Sequence, residues 1–419
     1  MRIRTAGVVA AAFCLAFAAT ACGDGSGDSA DTGASASPKA AGGKLVIWAD
    51  DKRSAVLKPF AEKFGQENGV TVTVQAISKD QQTAFVTASQ QGSGPDVMVG
   101  AHDWIGNLVQ NGAIDPVQLA EDQKAGFSEL ALKAVTFNGQ LYAVPYAQEN
   151  IALIRNTDLA PTAPTTVEDL VAAGKKLKAE KKASEIMCLQ VGQNGDAYHI
   201  YPLYTSAGGY LFGTTASGDY DPKDLGVGKP GSVAAFEKIR TLGEKGDGAL
   251  KRSISPDNAI ATFTSKKCAF LISGPWAVTD AKKAGIKYDI SPVPGFANAK
   301  PAQPFVGVQG FYVAAKGKNK ALAQEFVTNY VTAPELAVAL YEAEPRPPAL
   351  TVALDQVRGA DPDLQKFLDA GKDGAVLPAI PEMATIWDPF GKAEAAVVGG
   401  ADAATTVAAA GKTISSQIK

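Results

Sequence analysis

From Lys44 onward the chain alternates short apolar runs of β-type residues with longer stretches of helical spacing, and this alternation limits the fold more than any other feature. Residues 45–48 (Leu-Val-Ile-Trp) form an unbroken apolar run, 55–66 place apolar side chains at helical intervals, and 70–76 alternate polar with apolar. Strand, helix and strand in close succession predict a βαβ unit, since two parallel strands need a long crossover between them. Further strands are predicted at 96–99, 141–144, 151–155, 186–190, 269–272 and 311–314, and helices at 167–180, 232–244, 320–332 and 401–417. The expected class is α/β with mostly parallel sheets. With 419 residues, 46% hydrophobic and 20% charged, the chain has material for more than one core and does not belong among disordered sequences.

Residues 1–43 lie outside this alternation. Arg2 and Arg4 precede an uncharged stretch from Ala6 to Ala21 that ends in small side chains, the pattern of a secretory signal. That stretch is short of the roughly 20 residues needed to span a bilayer. Ala19-Thr20-Ala21-Cys22 resembles the lipobox of bacterial lipoproteins, with Ala19 departing from the commoner Leu. The resemblance implies a signal peptide over 1–21 and an acylated Cys22 that holds the protein on the outer face of the cell membrane; a plain signal peptide with an incidental cysteine is the alternative. Residues 23–43 hold no Val, Ile, Leu, Met or aromatic residue and read as a flexible tether over 22–43, about 25 Å in reach.

The charge balance gives no electrostatic reason to bind nucleic acid, with 40 basic against 43 acidic side chains and a net charge of −3. His102 and His199 are the only histidines, which leaves little room for a His-rich metal site or a Ser-His-Asp triad. If Cys14 is cleaved away and Cys22 acylated, Cys188 and Cys268 remain, either bonded to each other in an oxidising compartment or buried as free thiols. Three motif matches fail on context. Gly226-Val227-Gly228-Lys229-Pro230-Gly231 follows polar residues rather than a strand, Gly411-Lys412-Thr413 lacks the upstream glycine of a phosphate loop, and the Gly-Ser-Gly around Ser93 lacks the spacing of a nucleophile elbow.

Several peptides converge on one family: Gly43-Lys44-Leu45-Val46-Ile47-Trp48 with Asp51-Lys52, then Gly94-Pro95-Asp96-Val97-Met98, Ala101-His102-Asp103, Asn156-Thr157-Asp158-Leu159, Ile272-Ser273-Gly274-Pro275-Trp276, Pro304-Phe305-Val306-Gly307-Val308 and Pro378-Ala379-Ile380-Pro381-Glu382-Met383. In residues and in order they resemble the maltose-binding proteins of bacterial ABC importers, over 44–419. The resemblance implies a two-lobed periplasmic-binding-protein-like fold of type II with discontinuous lobes, 44–147 plus 311–356 and 152–305 plus 358–419. Hinge crossings would lie near 149–151, 306–310 and 356–360, with ligand held between the lobes.

A neutral sugar needs carboxylates and amides for its hydroxyl rim and aromatic rings for its C–H faces. The resemblance carries hydroxyl-binding roles to Asp51, Lys52, Asp103, Glu149 and Asp196, and stacking roles to Tyr198, Trp276 and Trp387. This sequence also departs from the family. Gly100 stands where the family has a tryptophan, and Trp104 and Gly391 stand where it has arginines. Trp104 is expected to replace the lost stacking surface from the neighbouring position. The implied function is capture of maltose or malto-oligosaccharides by a monomer that passes them to the transmembrane subunits of an ABC permease, with no cofactor, metal or catalytic residue. Other readings are the same role for trehalose, cellobiose or a cyclic or branched glucan, or a secreted glycosidase using Asp103 and Glu149.

Overall fold

Asp50 starts the first helix by accepting a hydrogen bond from the Arg53 backbone N–H, and Gly69 ends it in the left-handed region at φ 66°, where a side chain is disfavoured. Between them α1 (Asp51–Asn68) buries Leu57, Ala61 and Phe64 on one face. It connects β1 (Lys44–Ala49) to β2 (Thr71–Ala76), which pair in parallel as the βαβ reading predicts. The computed structural model describes residues 43–418. The expected signal segment 1–21, the acylated Cys22, the tether up to residue 42 and Lys419 lie outside the described residues.

β3 (Val97–Ala101) adds in parallel to β1. The sheet then departs from the mostly parallel expectation. β6 (Phe305–Ala314), ten residues and buried throughout, runs antiparallel to β3 and to β4 (Ala143–Asn150), and antiparallel to the short pair Ile114–Asp115. A second sheet is wholly antiparallel, with β5 (Ala152–Asn156) between Phe270–Ser273 and Tyr288–Ser291. β1, β2 and β3 run parallel and are joined by local helical crossovers, while the start of β6 also pairs in parallel with the two-residue strand Ala375–Val376. β6 enters its sheet from a distant part of the chain, so no crossover fixes its direction.

Other boundaries shift for local reasons. Residues 186–190 make only an isolated bridge, Cys188 to Leu271, instead of a strand. The predicted helix at 320–332 divides into Lys320–Glu325 and a π-helical turn, Phe326–Tyr330. Thr166 and Asp169 form a reciprocal capping box that begins Val167–Ala179, close to prediction. The Sγ atoms of Cys188 and Cys268, 80 residues apart, are bonded.

Buried apolar side chains gather into two large cores. One draws on segments 45–147 and 308–353, the other on 151–305 and 377–414. Strand β6 serves both, with Phe305 in the second and Val308, Phe311, Tyr312 and Val313 in the first. The ends of elements near this shared strand supply the side chains described next.

Candidate functional site

A cavity of about 330 Å³ is lined by Ala101, Asp103, Glu149, Tyr198, Trp276, Gly307, Glu344, Arg346 and Leu377. Its size falls in the range of small-molecule sites, about 300–1,000 Å³. Asp103 enters from the single 3-10 turn His102–Trp104 that follows β3, and Glu149 from the end of β4. Tyr198 stands at the start of the helix Ala197–Ser206, and Trp276 in the turn Pro275–Ala277 after Phe270–Ser273.

His102 fixes this end of the site. Its Nδ1 accepts from the Val308 N–H at 3.0 Å, so Nε2 carries the proton and donates to the Leu377 carbonyl at 2.8 Å. Burial pushes its pKa down to about 4, against weaker upward effects of those backbone bonds and Glu149. The imidazole thus stays neutral and joins three segments of the wall. Burial has the opposite effect on the neighbouring Asp103 carboxyl, raising it to about 7; its own backbone and the Trp387 side chain pull it down, while Glu149 adds a smaller upward push.

Arg346 organises another part of the wall. Gln148 N–H donates to the Pro347 carbonyl at 2.8 Å and Ala349 N–H to the Tyr146 carbonyl at 2.9 Å, so residues 346–349 lie along the edge of β4. That pairing sets Arg346 beside Glu149. Its Nε donates to Glu149 Oε2 and its Nη1 to Glu344 Oε2, while Gln309 Nε2 donates to Glu149 Oε1 at 3.0 Å. Burial works against the guanidinium charge, but Glu149, Tyr146 and Glu344 more than offset it and the net shift is upward. Lys52 Nζ reaches Glu344 Oε1 at 3.0 Å, which makes a chain of alternating charge.

The aromatic side is equally built. The Tyr198 ring lies 6.4 Å from that of Trp276 and stacks at 6.0 Å on Phe305. Tyr198 Oη is buried without a hydrogen-bond partner among the described residues, and burial, then Glu149, push its pKa well up. A Cβ at Gly274 would collide with the Trp276 ring, so glycine there is what lets the ring lie back over the backbone. The Arg346 guanidinium sits over the same ring, 5.2 Å from its centroid.

Of the residues named from sequence, Asp103, Glu149, Tyr198 and Trp276 meet at this cavity, and Lys52 joins it through Glu344. Trp387 is half-buried beside it, edge-on to Phe305 at 6.4 Å. Three others point elsewhere. Asp51 accepts from Ser78 Oγ at 2.5 Å on the surface of α1. Asp196 caps its helix, accepting from the Tyr198 and His199 N–H groups and from Gln190, while His199 Nδ1 lies 3.0 Å away. The Trp104 ring folds over Gly100, in the volume that a side chain at 100 would need, and is not part of the cavity wall. Sequence reasoning missed Glu344, Arg346 and Gln309. The signal for Arg346 was its setting in Glu344-Pro345-Arg346-Pro347-Pro348, where prolines fix an extended chain directly after the helix Pro334–Ala343.

A family model described as bacterial extracellular solute-binding protein matches residues 59–367. The chain is 28% identical over 393 residues to the galactooligosaccharide-binding protein of Bacillus subtilis (strain 168), covering 92% of each. It is 27% identical to the maltooligosaccharide ABC transporter solute-binding lipoprotein of Streptococcus pneumoniae serotype 4, covering 92% of this chain and 90% of that one. To the maltodextrin-binding protein MdxE of Bacillus subtilis (strain 168) it is 30% identical, covering 84% and 85%.

Proposed function

Because this chain belongs to the bacterial extracellular solute-binding proteins, we propose that it binds malto-oligosaccharides in the cavity between Asp103, Glu149, Tyr198, Trp276 and Arg346 and delivers them to the transmembrane subunits of an ABC importer. The observation that carries the reading is the composition of that one cavity. Carboxylates, a guanidinium and an unpartnered tyrosine hydroxyl surround an aromatic ring, which suits a neutral molecule with a hydroxyl rim and a C–H face. Relatives matched along nearly their whole length include two named for maltooligosaccharides or maltodextrin and one for galactooligosaccharides, so the galacto series is the nearest rival ligand.

The body is read as two lobes, 44–147 plus 311–356 and 152–305 plus 358–419, and the division of buried side chains into two cores supports it. Closure of one lobe on the other is a population shift, since a sugar touching both favours the closed state by its differential affinity. The crossing expected at 356–360 falls at the end of the helix Thr351–Arg358 and its cap, Gly359. Acylation of Cys22 with the tether up to residue 43 would hold the monomer at the membrane surface, as the Streptococcus pneumoniae relative's description as a lipoprotein supports. Among the described residues no helix is long and apolar enough to cross a membrane. Binding and release involve no chemical step, in keeping with relatives named as binding proteins.

Titration calorimetry with maltose, maltotriose, galacto-oligosaccharides, trehalose and cellobiose tests this. Saturable binding to one site, strongest in the malto series, is expected. Strongest binding in another series overturns the ligand assignment, and hydrolysis of maltotriose at enzymatic turnover overturns the role itself.

A further inference from the structure

Two positions where the resemblance implies arginines are Trp104 and Gly391 in this chain. The site nevertheless contains a guanidinium, supplied by Arg346 from the proline-framed segment along the edge of β4. Its setting is more elaborate than an ion pair requires. Nε is engaged by Glu149 and Nη1 by Glu344, and Gln309 and Lys52 restrain those two carboxylates in turn. With two of its three nitrogens fixed, the planar fork cannot turn, and Nη2 has no hydrogen-bond partner among the described residues. The guanidinium carbon also lies over the Trp276 ring, 5.2 Å from its centroid. A sugar ring approaching Trp276 therefore meets a donor of fixed direction bracketed by two carboxylate acceptors, instead of an open aromatic face.

We propose that Arg346 is the stereochemical selector of this site: Nη2, flanked by Glu149 and Glu344, reads the orientation of adjacent hydroxyls on the hexose beside Trp276 and so distinguishes gluco- from galacto-configured oligosaccharides. The proposal rests on the sugar-binding reading above. Stacking by itself discriminates poorly between epimers, because both present a similar C–H face. A rigid donor between two acceptors discriminates strongly, because the wrong epimer leaves a desolvated polar group unpaired. Lysine would keep the charge that the two carboxylates need but would lose the planar, two-edged geometry.

The test is Arg346→Lys, compared with wild type by calorimetry on maltotriose and on a galacto-oligosaccharide of equal length, with thermal unfolding of both proteins as the check on folding. The wild type is expected to prefer maltotriose, and Arg346→Lys to lose roughly 10- to 100-fold of its affinity for it while binding the galacto ligand nearly as before. The ratio of the two affinities is the decisive quantity, since general damage to the site lowers both and leaves it unchanged. Glu344→Gln, which replaces the charged acceptor of Nη1 with a weaker neutral one and so loosens the fork, should shrink the ratio in the same direction. A ratio unchanged in both folded variants overturns the proposal and leaves the sugar-binding function standing, as does a wild type that binds the two series equally. A wild type that binds neither series overturns the function and this proposal with it.

Discussion

Replacing Asp103 by asparagine should make the protein more stable in alkaline solution and reveal an opposing titration next to it. Burial raises the Asp103 carboxyl from 3.8 to about 7, so the folded state holds a proton there that the unfolded state has released. Its contribution is most favourable below the unfolded pKa and is lost as pH rises through the folded one. At about 1.4 kcal/mol per unit, ionised Asp103 costs up to about 4 kcal/mol above pH 7 or so. His102 behaves oppositely. Its pKa falls from 6.5 to about 4, so its contribution is present above the unfolded value and is lost as pH falls toward the folded one, by up to about 3 kcal/mol. In the wild type these neighbours largely cancel across the same interval. Asp103→Asn keeps only the histidine half, and because a buried amide has hydrogen-bonding needs of its own, a net gain of about 2 kcal/mol is expected at about pH 8 with little difference at about pH 4. Urea unfolding of both proteins across this range measures it. A stability difference that does not grow with pH would refute the assignment of a buried, proton-retaining carboxyl.

The remaining predictions concern the ring, the cross-link and the proton. Trp276→Ala should weaken oligosaccharide binding by about 1–3 kcal/mol, or roughly 5- to 150-fold, in calorimetry. Gly274→Ala, whose new Cβ would meet the Trp276 ring, should lower stability by about 1–3 kcal/mol in urea unfolding and change the tryptophan emission of the folded protein. Replacing Cys188 and Cys268 together with serine opens a loop of 80 residues and should lower the unfolding free energy by about 2–4 kcal/mol, with no further effect of reductant. A sugar hydroxyl donating to Asp103 favours its ionised form, so binding at about pH 7 should release protons, seen as a dependence of the calorimetric heat on buffer ionisation enthalpy that Asp103→Asn abolishes.

Local periodicity made β1, α1 and β2 legible, because β1 and α1 bury faces whose spacing appears in the sequence and β2 packs its alternating Val72 and Val74 against the same core. It failed at 186–190. The apolar run there is buried because Cys188 is bonded to Cys268 and its N–H donates to the Phe270 carbonyl at 2.7 Å, so burial without a full ladder imitates a strand. It also missed the direction of β6, which is set by chain segments far away. In the site, Asp103 and Trp276 were found because each lies in a peptide that resembles the family, and Glu149 and Tyr198 because the resemblance assigns roles to their positions. The resemblance assigns a role to Asp196 too, yet an aspartate directly before a helical run is also an N-cap, and that competing use engages its carboxylate. Arg346 was hidden because its proline-framed setting signals an extended chain but not the pairing of 346–349 with β4 that brings it to the site.

The most direct test of the account is a crystal structure of the protein grown with maltotriose. The sugar is expected within the cavity lined by Asp103, Glu149, Tyr198, Trp276 and Arg346, with hydroxyls on the carboxylates and on Arg346 Nη2 and a sugar ring beside Trp276. Sugar bound at another surface while this cavity holds only water would contradict it.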